Sequence, residues 1–195
     1  MKKLFFLALF ATATVQTHAA IVQFYDLRGT AGFGLLPGNE PGSITGGTGG
    51  EIGLGIFLDD AGDVNPATNL LTLNVGWGSS QGFTDLSSAT NGSHIHGPTA
   101  ANNGSGFTQT VGVLFSLTRS SNLATGGTIT TAPISLTATQ VTELNNGRYY
   151  INIHTSTNSG GEIRGFIVPI PEPASAGLAA LGALTLLATR RNRRA

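Results

Sequence analysis

Between residues 21 and 168 the chain is dominated by apolar positions recurring every second residue, the period of strands with one face turned to a core. Residues 21–28, IVQFYDLR, read as a first strand. Residues 29–50 are rich in Gly and Pro and predict loop or irregular edge. Ile52, Leu54, Ile56 and Leu58 alternate and predict a second strand. A turn through Asp59, Asp60 and Asp63 follows it, then a returning strand carrying Leu71, Leu73, Val75 and Trp77. Residues 78–92 are polar loop. Val111, Val113 and Phe115 form a strand with little polar face, which predicts an interior position. In the β-prone run at 128–136, Pro133 argues for an edge.

One segment has helical rather than strand chemistry. Thr137 and Gln140 have the spacing of a capping box, Val141 and Leu144 fall on one helical face, and Gly147 is placed to end the helix after about two turns. The helix leads into a hairpin. Tyr149, Ile151 and Ile153 alternate with Tyr150, Asn152 and His154. Residues 155–161 turn the chain, and Ile163 and Ile167 then oppose Glu162, Arg164 and Phe166. Glu162 and Arg164 share a face there, where they could form a simple ion pair. These elements predict an all-β domain, an antiparallel β-sandwich of seven to nine strands with one short helix.

Composition adds an address. Lys2 and Lys3 precede a short apolar run and then Thr17-His18-Ala19, so residues 1–19 read as a secretory signal peptide cleaved between Ala19 and Ala20. The domain occupies 20–168. Pro171-Glu172-Pro173 then opens a rigid linker, residues 174–189 are uncharged and leucine-rich, and Arg190, Arg191, Arg193 and Arg194 close the sequence. That stretch predicts a transmembrane helix with its basic end in the cytoplasm. Net charge is zero overall, but between 20 and 170 four arginines face nine acidic residues. An acidic middle excludes nucleic acid as a partner. The absence of cysteine excludes disulfides and thiolate chemistry.

Two resemblances follow from these motifs. The order Pro171-Glu172-Pro173, apolar span, arginine cluster resembles the PEP-CTERM sorting signal of Gram-negative bacteria. It implies an exosortase and the secretion machinery as partners. The precursor would be anchored transiently in the inner membrane, and the product would reach the cell surface or the matrix of an exopolysaccharide-producing, biofilm-forming cell. The middle resembles a CHRD (chordin) domain. The matching residues are Asn39-Glu40-Pro41, His94-Ile95-His96-Gly97-Pro98, the segment 136–144, Tyr150 to Thr155 with Asn152 at its centre, and Gly160 to Gly165 with Glu162 and Arg164. Ser159 stands where that family usually has proline. The resemblance implies a non-enzymatic extracellular module interacting with exopolysaccharide or matrix proteins. Its sandwich would be of the immunoglobulin-like or superoxide-dismutase-like kind.

The candidate chemistry rests on His94, His96 and His154. Two histidines at i and i+2 of an extended segment point to one face, and a third from another strand completes a set used by zinc and copper sites. Superoxide-dismutase-like chemistry is a remote extension, because that family's further ligands and cysteines are absent. The alternative is a hydrogen-bonded polar cluster of the three histidines, with Glu162 as a partner, pinning loops to the sandwich. Neither reading needs a catalytic residue, and no nucleophile–base order offers one.

Overall fold

The computed structural model describes residues 21–60, 65, 67–100, 107–120 and 124–171. Ten strands and one helix are found there: β1 (Ile21–Gly29), β2 (Gly32–Phe33), β3 (Gly49–Asp60), β4 (Asn69–Trp77), β5 (Thr90–His96), β6 (Val113–Ser116), β7 (Gly127–Thr128), β8 (Ile134–Ser135), α1 (Ala138–Asn145), β9 (Tyr149–Thr155) and β10 (Ile163–Pro169). The signal peptide with Ala19 and Ala20, the span at 174–189 and the sorting residues Glu172 and Pro173 lie outside the described residues. Pro171 is the last one inside, exposed and extended. Among the described residues no helix is long and apolar enough to cross a membrane.

The strands form one antiparallel sheet in the order β6-β5-β9-β10-β1-β3-β4-β7, with β2 added to β1 and β8 to β4. The expected two-sheet sandwich is thus a single sheet curled over its own core. Beyond β6, the chain bonds Leu117 N–H to Ser93 O at 2.9 Å, and Arg119 bridges Ile129 from beyond β7. Ile129 N–H in turn donates to Val75 O of β4 at 2.9 Å. The two ends of the sheet therefore meet, and Ile95 and Ile151 from one end share a cluster with Leu71, Val75 and Trp77 from the other. Burial of that shared apolar face, at ~25 cal/mol per Å², is the main force curling the sheet.

Several local expectations agree with the structure. Leu71, Leu73, Val75 and Trp77 all point inward from β4. β7 and β8 lie along the open side of β4, the edge that Pro133 required. The capping box is complete: Gln140 N–H donates to Thr137 Oγ1 at 3.3 Å and Thr137 N–H to Gln140 Oε1 at 2.9 Å. Val141 and Leu144 are buried beneath it, and Gly147 ends the helix at φ 63°. Thr137→Ala is expected to cost about 1 kcal/mol. A urea midpoint unchanged from that of the parent protein would contradict it.

Other expectations are corrected. Leu54 does not share the inward face of Ile56 and Leu58 and is 75% exposed. The ladder slips between Glu51 and Ile56, where Gly53 and Gly55 take positive φ, so a bulge breaks the two-residue period. β6 is not interior. It pairs with β5 alone and leaves Val113 half exposed. The hairpin loop runs over 156–162, one residue later than expected, and β9 is buried on both faces rather than one. The reason is the Gly/Pro-rich region at 29–50. It folds back as a cover, held by Leu36 N–H to Arg164 O at 3.1 Å and Arg164 N–H to Leu36 O at 3.2 Å.

Candidate functional site

The covered face of β5, β9 and β10 is polar. Register sets His94 opposite Asn152 and Asn152 opposite Arg164, then His96 opposite Tyr150 and Tyr150 opposite Phe166. His154 lies opposite Gly92. The glycine matters, because a Cβ there would stand 3.0 Å from the His94 ring and 3.3 Å from that of His154.

His94, His96 and His154 meet as their spacing predicted, with one nitrogen from each lying within 4.8 Å of the others. Ring centroids are 4.9 Å apart for His94–His154 and 5.7 Å for each pair with His96. His96 Nδ1 lies 2.8 Å from Val111 O, and His154 Nδ1 lies 2.9 Å from Ser159 O. A carbonyl can only accept, so each Nδ1 carries the proton and each Nε2 presents a lone pair. Those two Nε2 atoms, together with His94 Nδ1, are buried without a partner in the protein. Burial lowers the pKa of all three imidazoles, and the neighbouring histidines and the Arg119 cation lower that of His94 and His154 further. The trio is thus neutral, the state in which imidazole binds metal.

These features fit a metal ion. Nitrogens in a tetrahedral shell at ~2.0–2.1 Å stand about 3.4 Å apart, so the widest pair here is open by roughly 1.4 Å. The carbonyls of Val111 and Ser159 act as the outer partners that orient ligating histidines. Ser159 serves through its backbone, so its substitution for proline leaves that contact available. The cluster is not held together by Glu162, as the alternative reading supposed. Nor does Glu162 pair with Arg164.

Each of those two charges instead organises its own region. Glu162 is fully buried and accepts from Ser87 N–H at 2.6 Å, Ser87 Oγ at 2.6 Å, Thr155 Oγ1 at 2.7 Å, and Gly47 N–H and Asn158 Nδ2 at 3.1 Å. Burial alone would raise its pKa, but these donors outweigh it and hold the group below the ordinary carboxylate value. Arg164, also fully buried, donates to Asn39 O at 3.0 Å, Gln109 O at 3.1 Å and Phe107 O at 2.6 Å. Its guanidinium lies 4.4 Å from the Tyr150 ring centroid, and His96 stacks on the same ring at 4.9 Å.

Glu40 joins this face through the cover loop. Burial raises its pKa to about 7, against an opposing pull from Arg164. It lines a cavity of about 320 Å³ with Ile44, His96, Tyr150, Asn152 and Arg164. Gly97 has φ 156° and packs against Tyr149, since a Cβ there would reach 2.2 Å from that ring; Pro98, after a cis bond, is exposed. The sequence offered no sign of Ser87, Val111 or Arg119. Ser87 is an ordinary loop serine, and Val111 contributes only a backbone atom.

A family model described as the CHRD domain matches residues 38–167, two thirds of the chain. No curated protein and no solved structure shows significant similarity. The match begins after β1, although β1 is hydrogen-bonded between β10 and β3.

Proposed function

The chain belongs to the CHRD domain family, and on that premise we propose that it is an exported, non-enzymatic module that binds zinc or copper through His94, His96 and His154. The carrying observation is that three neutral imidazoles present unpartnered, buried nitrogens to one another, two of them oriented by backbone carbonyls. Burying a polar atom without a partner is costly, and a bound cation would satisfy all three at once. Three protein nitrogens leave a position free for water or an exogenous ligand.

The test is elemental analysis of the purified, full-length protein after exposure to zinc and to copper, followed by dialysis. Close to one equivalent is expected, falling below about a tenth in a His94→Ala/His96→Ala variant, since each imidazole contributes a substantial part of the affinity. Less than about a tenth of an equivalent in a folded parent protein sinks the proposal.

A second element of the reading concerns destination. Export is supported by Lys2, Lys3 and the apolar run ending at Ala19, and sorting to the surface by Pro171-Glu172-Pro173, the apolar stretch and the terminal arginines. On this reading the protein is released at the surface or in the matrix after exosortase processing, where its partners are exopolysaccharide or matrix proteins. Mass spectrometry of the protein from its producing cells checks this. A product that starts at Met1 or still ends at Ala195 contradicts it.

A further inference from the structure

The cavity beside the histidines has a chemistry that the metal reading leaves unused. Glu40 Oε1 and Asn152 Oδ1 are buried and have no hydrogen-bond partner in the protein. Both side chains are at least nine-tenths buried. The two oxygens converge on the space over Gly161, standing 2.6 Å and 2.2 Å from where a Cβ on that residue would be. Gly161, at φ 131°, leaves that space open. Asn152 is fixed in this orientation because its Nδ2 donates to Gly160 O at 3.0 Å. The walls are Ile44, Tyr150 and His96, with the Thr110 hydroxyl at the rim.

Two acceptors held open in a concave site call for a ligand that donates hydrogen bonds. The charge balance narrows its class. Arg164 lies close enough to Glu40 to act on its ionisation, so the cavity carries no net negative charge to reward a cation. An anion would instead confront two acceptors. Hydroxyl groups donate and accept, and so match both oxygens and the rim hydroxyl. We propose that the cavity lined by Glu40, Asn152, Thr110 and Ile44 binds a neutral polyhydroxylated ligand, either a small polyol or a sugar unit, with its hydroxyls donating to Glu40 Oε1 and Asn152 Oδ1.

This site is independent of whether the histidines hold metal. Saturation-transfer NMR on the full-length protein tests it, with glycerol and the methyl glycosides of glucose, galactose and mannose as probes. Methylammonium and acetate serve as charged comparators, each probe at about 20 mM against an expected Kd near 1 mM. Transfer to at least one neutral probe is expected. It should weaken about tenfold in Asn152→Leu, the effect of losing one buried hydrogen bond. Ile44→Trp, which fills the cavity from the cover loop and removes no buried polar group, should abolish it and remains informative if the Asn152 variant does not fold. Stronger transfer to glycosides than to glycerol identifies a sugar unit, and equal transfer a small polyol. No transfer to any neutral probe, stronger transfer to either ion, or transfer undiminished in Ile44→Trp overturns the proposal. Metal content measured on the same samples separates the two sites: a parent protein that binds the glycoside without metal keeps this inference and loses the metal centre.

Discussion

Arg164→Met is expected to lower the unfolding free energy by about 3–5 kcal/mol, the usual cost of breaking a buried charge network by removing one member. Three carbonyls, of Asn39, Gln109 and Phe107, would lose their donor together. Glu40 would lose the cation that opposes its desolvation. Methionine fills most of the volume, so the loss reports on polar satisfaction more than on a cavity. Arg28 is the internal comparison, being exposed with its guanidinium 5.3 Å from the Phe33 ring centroid. Arg28→Met should cost under about 1 kcal/mol. Urea denaturation of the two variants at neutral pH decides the matter. A loss below about 1 kcal/mol for Arg164→Met would mean that the cover loop is not held by this side chain.

Glu162 should control stability in acid. Its pKa is depressed in the folded protein relative to the ordinary value of 4.5. The unfolded chain therefore binds its proton first as pH falls. The stabilisation is fully present above 4.5 and disappears as pH drops through the lower folded value. Glu162→Gln cannot ionise, so the difference in stability between parent and variant should be large at pH 7 and shrink steadily below pH 4.5. At pH 7, Glu162→Ala should cost about 3 kcal/mol or more, because Gly47, Ser87, Thr155 and Asn158 would lose one shared acceptor. Denaturation curves from pH 7 down to pH 2 measure both effects. A parent–variant difference that does not change across that range would refute the assignment. The tight fit of Gly46 agrees with it, since a Cβ there would stand 2.3 Å from Glu162 Oε1.

These two residues show where linear reading stopped. Arg164 and Glu162 are two apart on one strand face, and sequence spacing suggested that they pair. Their partners are 55 to 125 residues away for the arginine and include Gly47 and Ser87 for the glutamate. Nothing local marks such partners, because most are backbone groups delivered by loops. The histidines were more legible. His94 and His96 share a face by strand geometry alone, whereas His154 was linked to them only through the resemblance of its motif. Register supplied the missing step by placing β5 beside β9.

Local rules carried the rest unevenly. The capping box and the inward face of β4 depend on contacts within a few residues, and both appear as read. Leu54 failed because glycines on both sides allow a bulge that hydrophobic periodicity cannot register. β6 failed because an apolar strand at a sheet end can pack partly against the core and still lack a second neighbour.

The sequence by itself determined the all-β class, the single helix and its ends, and the three imidazoles as the candidate chemistry, since these follow from period, capping and side-chain type. Only the tertiary structure decided that one sheet curls upon itself, that residues 29–50 fold over its polar face, and that Glu162 and Arg164 hold separate regions. It also oriented two of the imidazoles through Val111 and Ser159 and left Glu40 and Asn152 open to a cavity. The physical reason is that each of these depends on hydrogen bonds and desolvation between groups far apart in the chain, whose energies exist only once the strands have paired.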